Sequence, residues 1–159
     1  VQLLEKGLRH LDAASPVVAS QGRNQLAYLQ NRTRAYLWHL EAMLELVEGY
    51  GKLDQAFEQD PLDQRKEFLR LLGQSFQRFR KARLLARYAA KEWTKSSTHV
   101  SDLGGLYRIN TFMVTGTELI ADFIENIVNF HHGKPCLKKV AWEKVFSVLP
   151  IRHPHPLFP

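Results

Sequence analysis

Apolar side chains return at intervals of three and four along the first third of the chain. Leu26, Leu29, Tyr36 with Leu37, Leu40, Leu44 and Val47 keep the beat, with Thr33 its one polar member, and Leu53 and Phe57 extend it. That period predicts a long amphipathic helix from about Gly22 to Glu58 with this row turned inward. Gly49 and Gly51 weaken it near its end and mark a place for a kink, since glycine inside a helix costs about 1 kcal/mol relative to alanine. A shorter helix is predicted ahead of it over residues 2–14, with Leu3, Leu4, Leu8 and Leu11 inward, closed by the Ser15-Pro16 break.

The stretch Asp60-Pro61-Leu62-Asp63 reads as a helix start. Asp60 can cap free amides, Pro61 suits the first helical position and Asp63 favours the positive helix end. The helix that follows is predicted to run to Lys95, with Leu62, Leu69, Leu72 and Phe76 as its early core line. Ser96-Ser97-Thr98-His99 interrupts the period. A fourth helix, capped by Ser101 or Thr98, is expected to end near His132-Gly133, and Pro135 opens a fifth with Leu137, Val140, Val145 and Leu149 inward. The four prolines of PIRHPHPLFP forbid helix and central strand alike.

No segment alternates with the two-residue period of a half-buried strand. The expected architecture is all-α: an antiparallel bundle of three long helices with two shorter ones alongside. It forms a single helical domain over residues 1–149, followed by an extended Pro-rich docking tail over 150–159.

Composition changes this picture little, and charge changes it more. With 159 residues, 45% of them hydrophobic and 24% charged, the chain is well placed to fold without a disulfide or metal. The single Cys136 points to a reducing intracellular compartment, cytoplasm or organelle matrix. The missing initiator Met suggests a processed form of a longer chain. The net charge of +6 is concentrated: residues 78–95 hold seven bases and one acid, Glu92, while the rest of the chain balances. Residues 41–63 run the other way, with seven acids against Lys52.

On a helical wheel Arg80, Arg83, Arg87, Lys91 and Lys95 form one stripe, in line with Leu69, Leu72 and Phe76. Phe79, Ala82, Ala86, Ala89 and Trp93 form another that invites close approach of a neighbouring helix. The basic stripe is expected to meet acidic protein, with Glu41 level with Arg78 and Glu118 near Arg80 or Arg83. Two other counterparts fit such a row: an anionic lipid surface, or the phosphates of a nucleic acid with Tyr88 and Trp93 as stacking faces. The acids of 41–63 and the lack of any known nucleic-acid signature weigh against the last.

Residues 109–130 have the length to cross a bilayer, yet Glu118, Asp122 and Glu125 share one face, and ionised groups near the centre of a lone span cost about 2.5–3.5 kcal/mol each. A helix buried among other helices is the expectation, its acids turned to bases or solvent. The segment TELIADFIENIV, residues 117–128, resembles the membrane helix of mitochondrial ATP synthase subunit g, where a glutamate sits amid small and apolar residues. The resemblance covers a dozen residues and lacks the glycines that flank that glutamate. Basic composition, one cysteine and the missing initiator Met are compatible with a processed mitochondrial subunit, inner-membrane-associated.

Catalytic signatures are absent: no phosphate-binding glycine loop, no nucleophile elbow, no His-Glu-x-x-His. Glu-x-x-His, which a diiron bundle needs, does not occur. His131, His132, Cys136, His153 and His155 are too scattered for structural zinc, and His39 with Glu41 is a weak acid–base pair. His131 and His132 are expected to end the fourth helix as partly protonated imidazoles on its negative terminus. The reading is a non-enzymatic helical subunit of a larger assembly, without cofactor or small-molecule substrate. Its contacts are the basic stripe, the acidic face, and the tail residues Pro154, Pro156, Leu157 and Phe158. The alternative is a nucleic-acid-binding module using residues 78–95.

Overall fold

The structure, a computed structural model, describes residues 1–136. The predicted fifth helix and the Pro-rich tail, with Pro154, Pro156, Leu157 and Phe158, lie outside the described residues. Within them the protein is all-α, with no strand. Its helices are α1 (Gln2–Ala14), α2 (Arg23–Phe57), α3 (Arg65–Lys95), α4 (Val100–Arg108) and α5 (Gly116–His131). A 3-10 turn, Ser20–Gly22, leads into α2, and a π-helical segment, Ile109–Thr115, joins α4 to α5.

The chain forms two compact units, Val1–Leu44 with Ala82–Val114 as unit 1 and Glu45–Lys81 with Thr115 onward as unit 2. Both α2 and α3 contribute part of their length to each.

Unit 2 is built around large side chains. Leu53, Phe68, Leu71, Leu72, Phe79, Ile120, Phe123 and Ile124 form one buried cluster, joined by Ala56 and Ala121. Gly49 lets α3 come close: a β-carbon there would lie 3.3 Å from Cβ of Arg78 and 3.4 Å from the ring of Phe79. Ser75, fully buried opposite, donates its hydroxyl to the Gly49 carbonyl at 2.9 Å. The glycine thus serves as a contact point, and α2 runs on through it to Phe57.

Helix α3 starts later than its sequence signal. Asp60 does accept an amide bond, from Leu62 at 2.8 Å, but Pro61–Asp63 form a turn and the helix begins at Arg65. Leu62 is therefore no core residue; it is 86% exposed. The inward line of α3 is Phe68, Leu71, Leu72, Ser75 and Phe79, while Leu69 and Phe76 are only half-buried. The predicted row was displaced because it began from a leucine that the turn leaves outside.

The end of α5 falls where predicted. Gly133 takes a positive φ of 66°, and the amides of Gly133 and Lys134 donate to the carbonyls of Phe130 and Asn129, the paired bonds of a Schellman ending. The cation at this terminus is Arg65, whose guanidinium donates to the His131 carbonyl. The His131 ring packs edge-on against Phe68 at 5.2 Å. Desolvation, aided by the charges of Arg65 and His132, lowers its pKa. The expected imidazolium at this position is thus corrected: Arg65 supplies the charge and disfavours a second one.

Unit 1 is built differently. Ala35, Ala42, Ala82, Ala86 and Ala89 are fully buried, with Leu37, Leu85, Ala90, Ile109 and Met113 nearly so. Helix α1 buries no residue completely, and its ties to α2 are polar, Gln30 and Arg34 donating to Asp12; Leu3, expected inward, is exposed. Helix α4 begins at N-cap His99, not at Ser101 or Thr98. The Asp102 carboxylate reaches back to the amides of Thr98 and His99, at 2.9 and 3.1 Å, so the acid three residues in does the capping.

Candidate interaction surfaces

The row that made α2 look amphipathic is buried only in part: Leu37 and Leu53 are inside and Leu26 and Phe57 half-buried, but its other apolar members face out. Leu29 (44%), Tyr36 (48%), Leu40 (41%), Met43 (43%) and Leu44 (55%) are all exposed in unit 1, and in unit 2 Val47 is exposed as well. Among the buried positions of α2 a line of small residues recurs every seven, Ala35 and Ala42 in unit 1 and Gly49 and Ala56 in unit 2, beside the larger Arg32, Leu37, Glu45 and Leu53. A hydropathy count weights large side chains, so it misses the alanines and the glycine that mark this buried line.

In unit 1 the Arg32 guanidinium, nine-tenths buried, lies over the indole of Trp93 with 4.0 Å to the ring centroid and pairs with Asp102. The Trp93 Nε1–H donates to the Asp102 carbonyl at 2.9 Å, and Tyr36 meets the indole edge-on at 5.6 Å. The amides of Thr98 and His99, and after them Arg32, hold the Asp102 carboxyl below the usual carboxylate range. Gly105 allows this arrangement, because a β-carbon there would fall 2.4 Å from the indole.

Beside the indole opens a cleft of about 310 Å³ lined by Tyr36, His39, Trp93, Gly105, Arg108, Ile109, Phe112 and Met113, its walls almost wholly apolar. The π segment contributes Ile109, Phe112 and Met113. Such a segment is a rare departure from α geometry that recurs at functional positions. Desolvation lowers the pKa of His39, whose Nδ1 is buried without a hydrogen-bond partner. Arg108 and Phe112 are exposed at the rim, and Arg108 meets no carboxylate among the described residues.

Unit 2 carries a charge cluster. Glu45 is nearly buried, which by itself disfavours its charge, but Lys81 at 2.5 Å and Arg78 at 2.8 Å outweigh that cost and hold its carboxyl below the ordinary range. Arg78 also reaches Glu48 at 2.8 Å. The expected partner of Arg78 was Glu41; the carboxylates found there lie one and two turns further along α2. Arg78 and Lys81 stand outside the predicted stripe, and the acidic run 41–63 was the signal that could have drawn them in.

Of the predicted basic stripe, Arg80, Arg87, Lys91 and Lys95 are exposed and Arg83 is half-buried. Arg80 leans over the Phe76 ring at 5.6 Å, Lys95 pairs with Glu92 at 2.6 Å, and Arg87 and Lys91 meet no carboxylate among the described residues. Glu118, Asp122 and Glu125 are half-buried on α5, beside its buried Thr117, Ile120, Ala121 and Ile124. Among the described residues no group of His, Cys, Asp and Glu is placed to hold a metal ion, and no helix is long and apolar enough to cross a membrane. Residues 109–130, read as one helix from sequence, comprise the π segment and most of α5. No protein-family model, curated protein or solved structure matches the chain.

Proposed function

We propose that this protein is a non-enzymatic helical subunit that docks into a larger assembly through the outer face of α2. The exposed row of unit 1 carries the reading. Leu29, Thr33, Tyr36, Leu40 and Met43 alternate four and three apart, the spacing that seats a second helix along a seam, and four of the five are large apolar side chains open to solvent. A contiguous apolar strip of this length marks a protein contact more often than a monomer's surface. We take the occupant to be a helix of another subunit. The expected bundle of three long antiparallel helices with two shorter ones, and a docking tail at Pro154, Pro156, Leu157 and Phe158, belong to the same proposal. So does a membrane-associated, mitochondrial-type setting with possible anionic lipid contact, supported by the basic helix 78–95 and the segment 117–128.

The test is sedimentation of a native extract. Wild type is expected to travel with a high-mass assembly, and Leu40→Glu/Leu44→Glu to shift to the mass of a free chain while its circular dichroism stays that of wild type. Unchanged sedimentation of a folded double variant refutes docking by this face.

The exposed Arg87 and Lys91 favour a second reading, a nucleic-acid-binding module. Its signature is affinity that falls linearly, log against log, with salt, and that is lost in Arg87→Glu/Lys91→Glu.

A further inference from the structure

The cleft in unit 1 shares Tyr36 with the strip on α2 but differs from it in kind: it is concave, it is walled by three aromatic rings, and it has one formal charge. We propose that it binds a small apolar monocarboxylate, whose body lies among Tyr36, Trp93, Phe112 and Met113 and whose carboxylate rests on Arg108.

The argument begins with size. A volume of about 310 Å³ holds roughly ten heavy atoms at about 30 Å³ each, the size of a medium-chain fatty acid or an arylpropionate. The walls decide the body of the ligand: they offer aromatic faces, a thioether and an isoleucine, and scarcely any polar atom, so a sugar or nucleotide would leave its hydroxyls unpaired there. Arg108 decides the head group. Its guanidinium is exposed at the mouth, with no carboxylate to meet it among the described residues. A guanidinium matches a carboxylate with two parallel bonds. Desolvation disfavours the charged form of His39, and Arg108 is the one permanent charge of the lining, so a single anion complements it.

Two local features hold the cleft open. Trp93 is held by Arg32 over its ring and by its bond to Asp102, contacts that place the wall without help from a ligand. Gly105 leaves the space that a side chain would take from the indole.

The experiment uses the full chain, isotopically labelled, and octanoate as the probe, with octylammonium and 1-octanol as controls. NMR is read at the Trp93 indole N–H and the Gly105 amide. Octanoate is expected to shift both saturably with a Kd on the order of 1 mM, the scale for a ligand of this size. Arg108→Gln, a surface change at the end of α4, is expected to weaken octanoate about tenfold or more and to leave 1-octanol within about twofold. 3-Phenylpropionate in place of octanoate tells whether the walls prefer a ring or a chain, and binding of either supports the site. The proposal is overturned by equal binding of octylammonium and octanoate, by wild-type octanoate affinity in Arg108→Gln, or by no saturable shift up to about ten times the expected Kd.

Discussion

Unit 2 packs a core of large side chains, whereas unit 1 buries several alanines and leaves more of its large side chains in solvent. In unit 2 three phenylalanines, Phe68, Phe79 and Phe123, are almost wholly inaccessible, and leucines and isoleucines fill the space around them. In unit 1 alanines make the close contacts, while Tyr36, Leu40, Met43, Tyr107 and Phe112 stand in solvent. The same helices α2 and α3 take part in both, so the difference lies in the side chains that each stretch presents. Large buried residues give unit 2 an apolar core, and the exposed ones of unit 1 are the surface on which the proposed docking rests.

The sharpest way to break this contrast is truncation in each unit. Phe79→Ala is expected to cost about 3–5 kcal/mol, and Leu40→Ala less than about 0.5 kcal/mol, in urea unfolding followed by circular dichroism. Comparable losses would show that the two units do not differ as described. Next in size is Gly105→Ala, expected to destabilise by about 1–3 kcal/mol as the new methyl displaces the indole and to change Trp93 fluorescence. Smaller effects should come from acid. His39 and His131 have lowered pKa values, chiefly through desolvation. An unfolded histidine near pH ~6.5 then binds protons more readily than the folded one, so their contribution is present above that pH and lost as pH falls through the folded values. Glu45 is likewise lowered, bonds from Lys81 and Arg78 outweighing its desolvation. Its contribution is present above the ordinary glutamate range of ~4.3 and lost below it. Thermal unfolding against pH should therefore fall in two steps, and Glu45→Gln should flatten the lower one. A single step that Glu45→Gln leaves unchanged would remove Glu45 from this account.

Helix positions were legible from the sequence, and helix faces less so. Ser15-Pro16 and Gly133 are backbone signals that act locally, and the ends of α1 and α5 fall where they put them. Asp60-Pro61 is local too, but it made a turn, and α3 starts after it. The faces depended on what each helix meets. Leu29, Leu40 and Leu44 carried the period of α2, yet the contact is made at Ala35 and Ala42, which hydropathy scarcely registers. For α3 the stripe of Ala82, Ala86 and Ala89 was read correctly as a place of close approach, because small size was the criterion there. Trp93, a member of that stripe, fell on the site of interest. Arg32 and Asp102 drew no notice, because their pairing spans most of the domain and no local pattern announces it.

That pairing sets a sequence of events for the chain as it folds. Arg32 and Asp102 are 70 residues apart, and the aspartate that receives the arginine is also the one that fixes the first turn of α4. The capping bonds are local, reaching back only three and four residues, so the turn can form early and the arginine then ties it to the rest of unit 1. Closing a loop of that span carries an entropic cost that a local turn does not, so the arrival of the arginine should be the later of the two events.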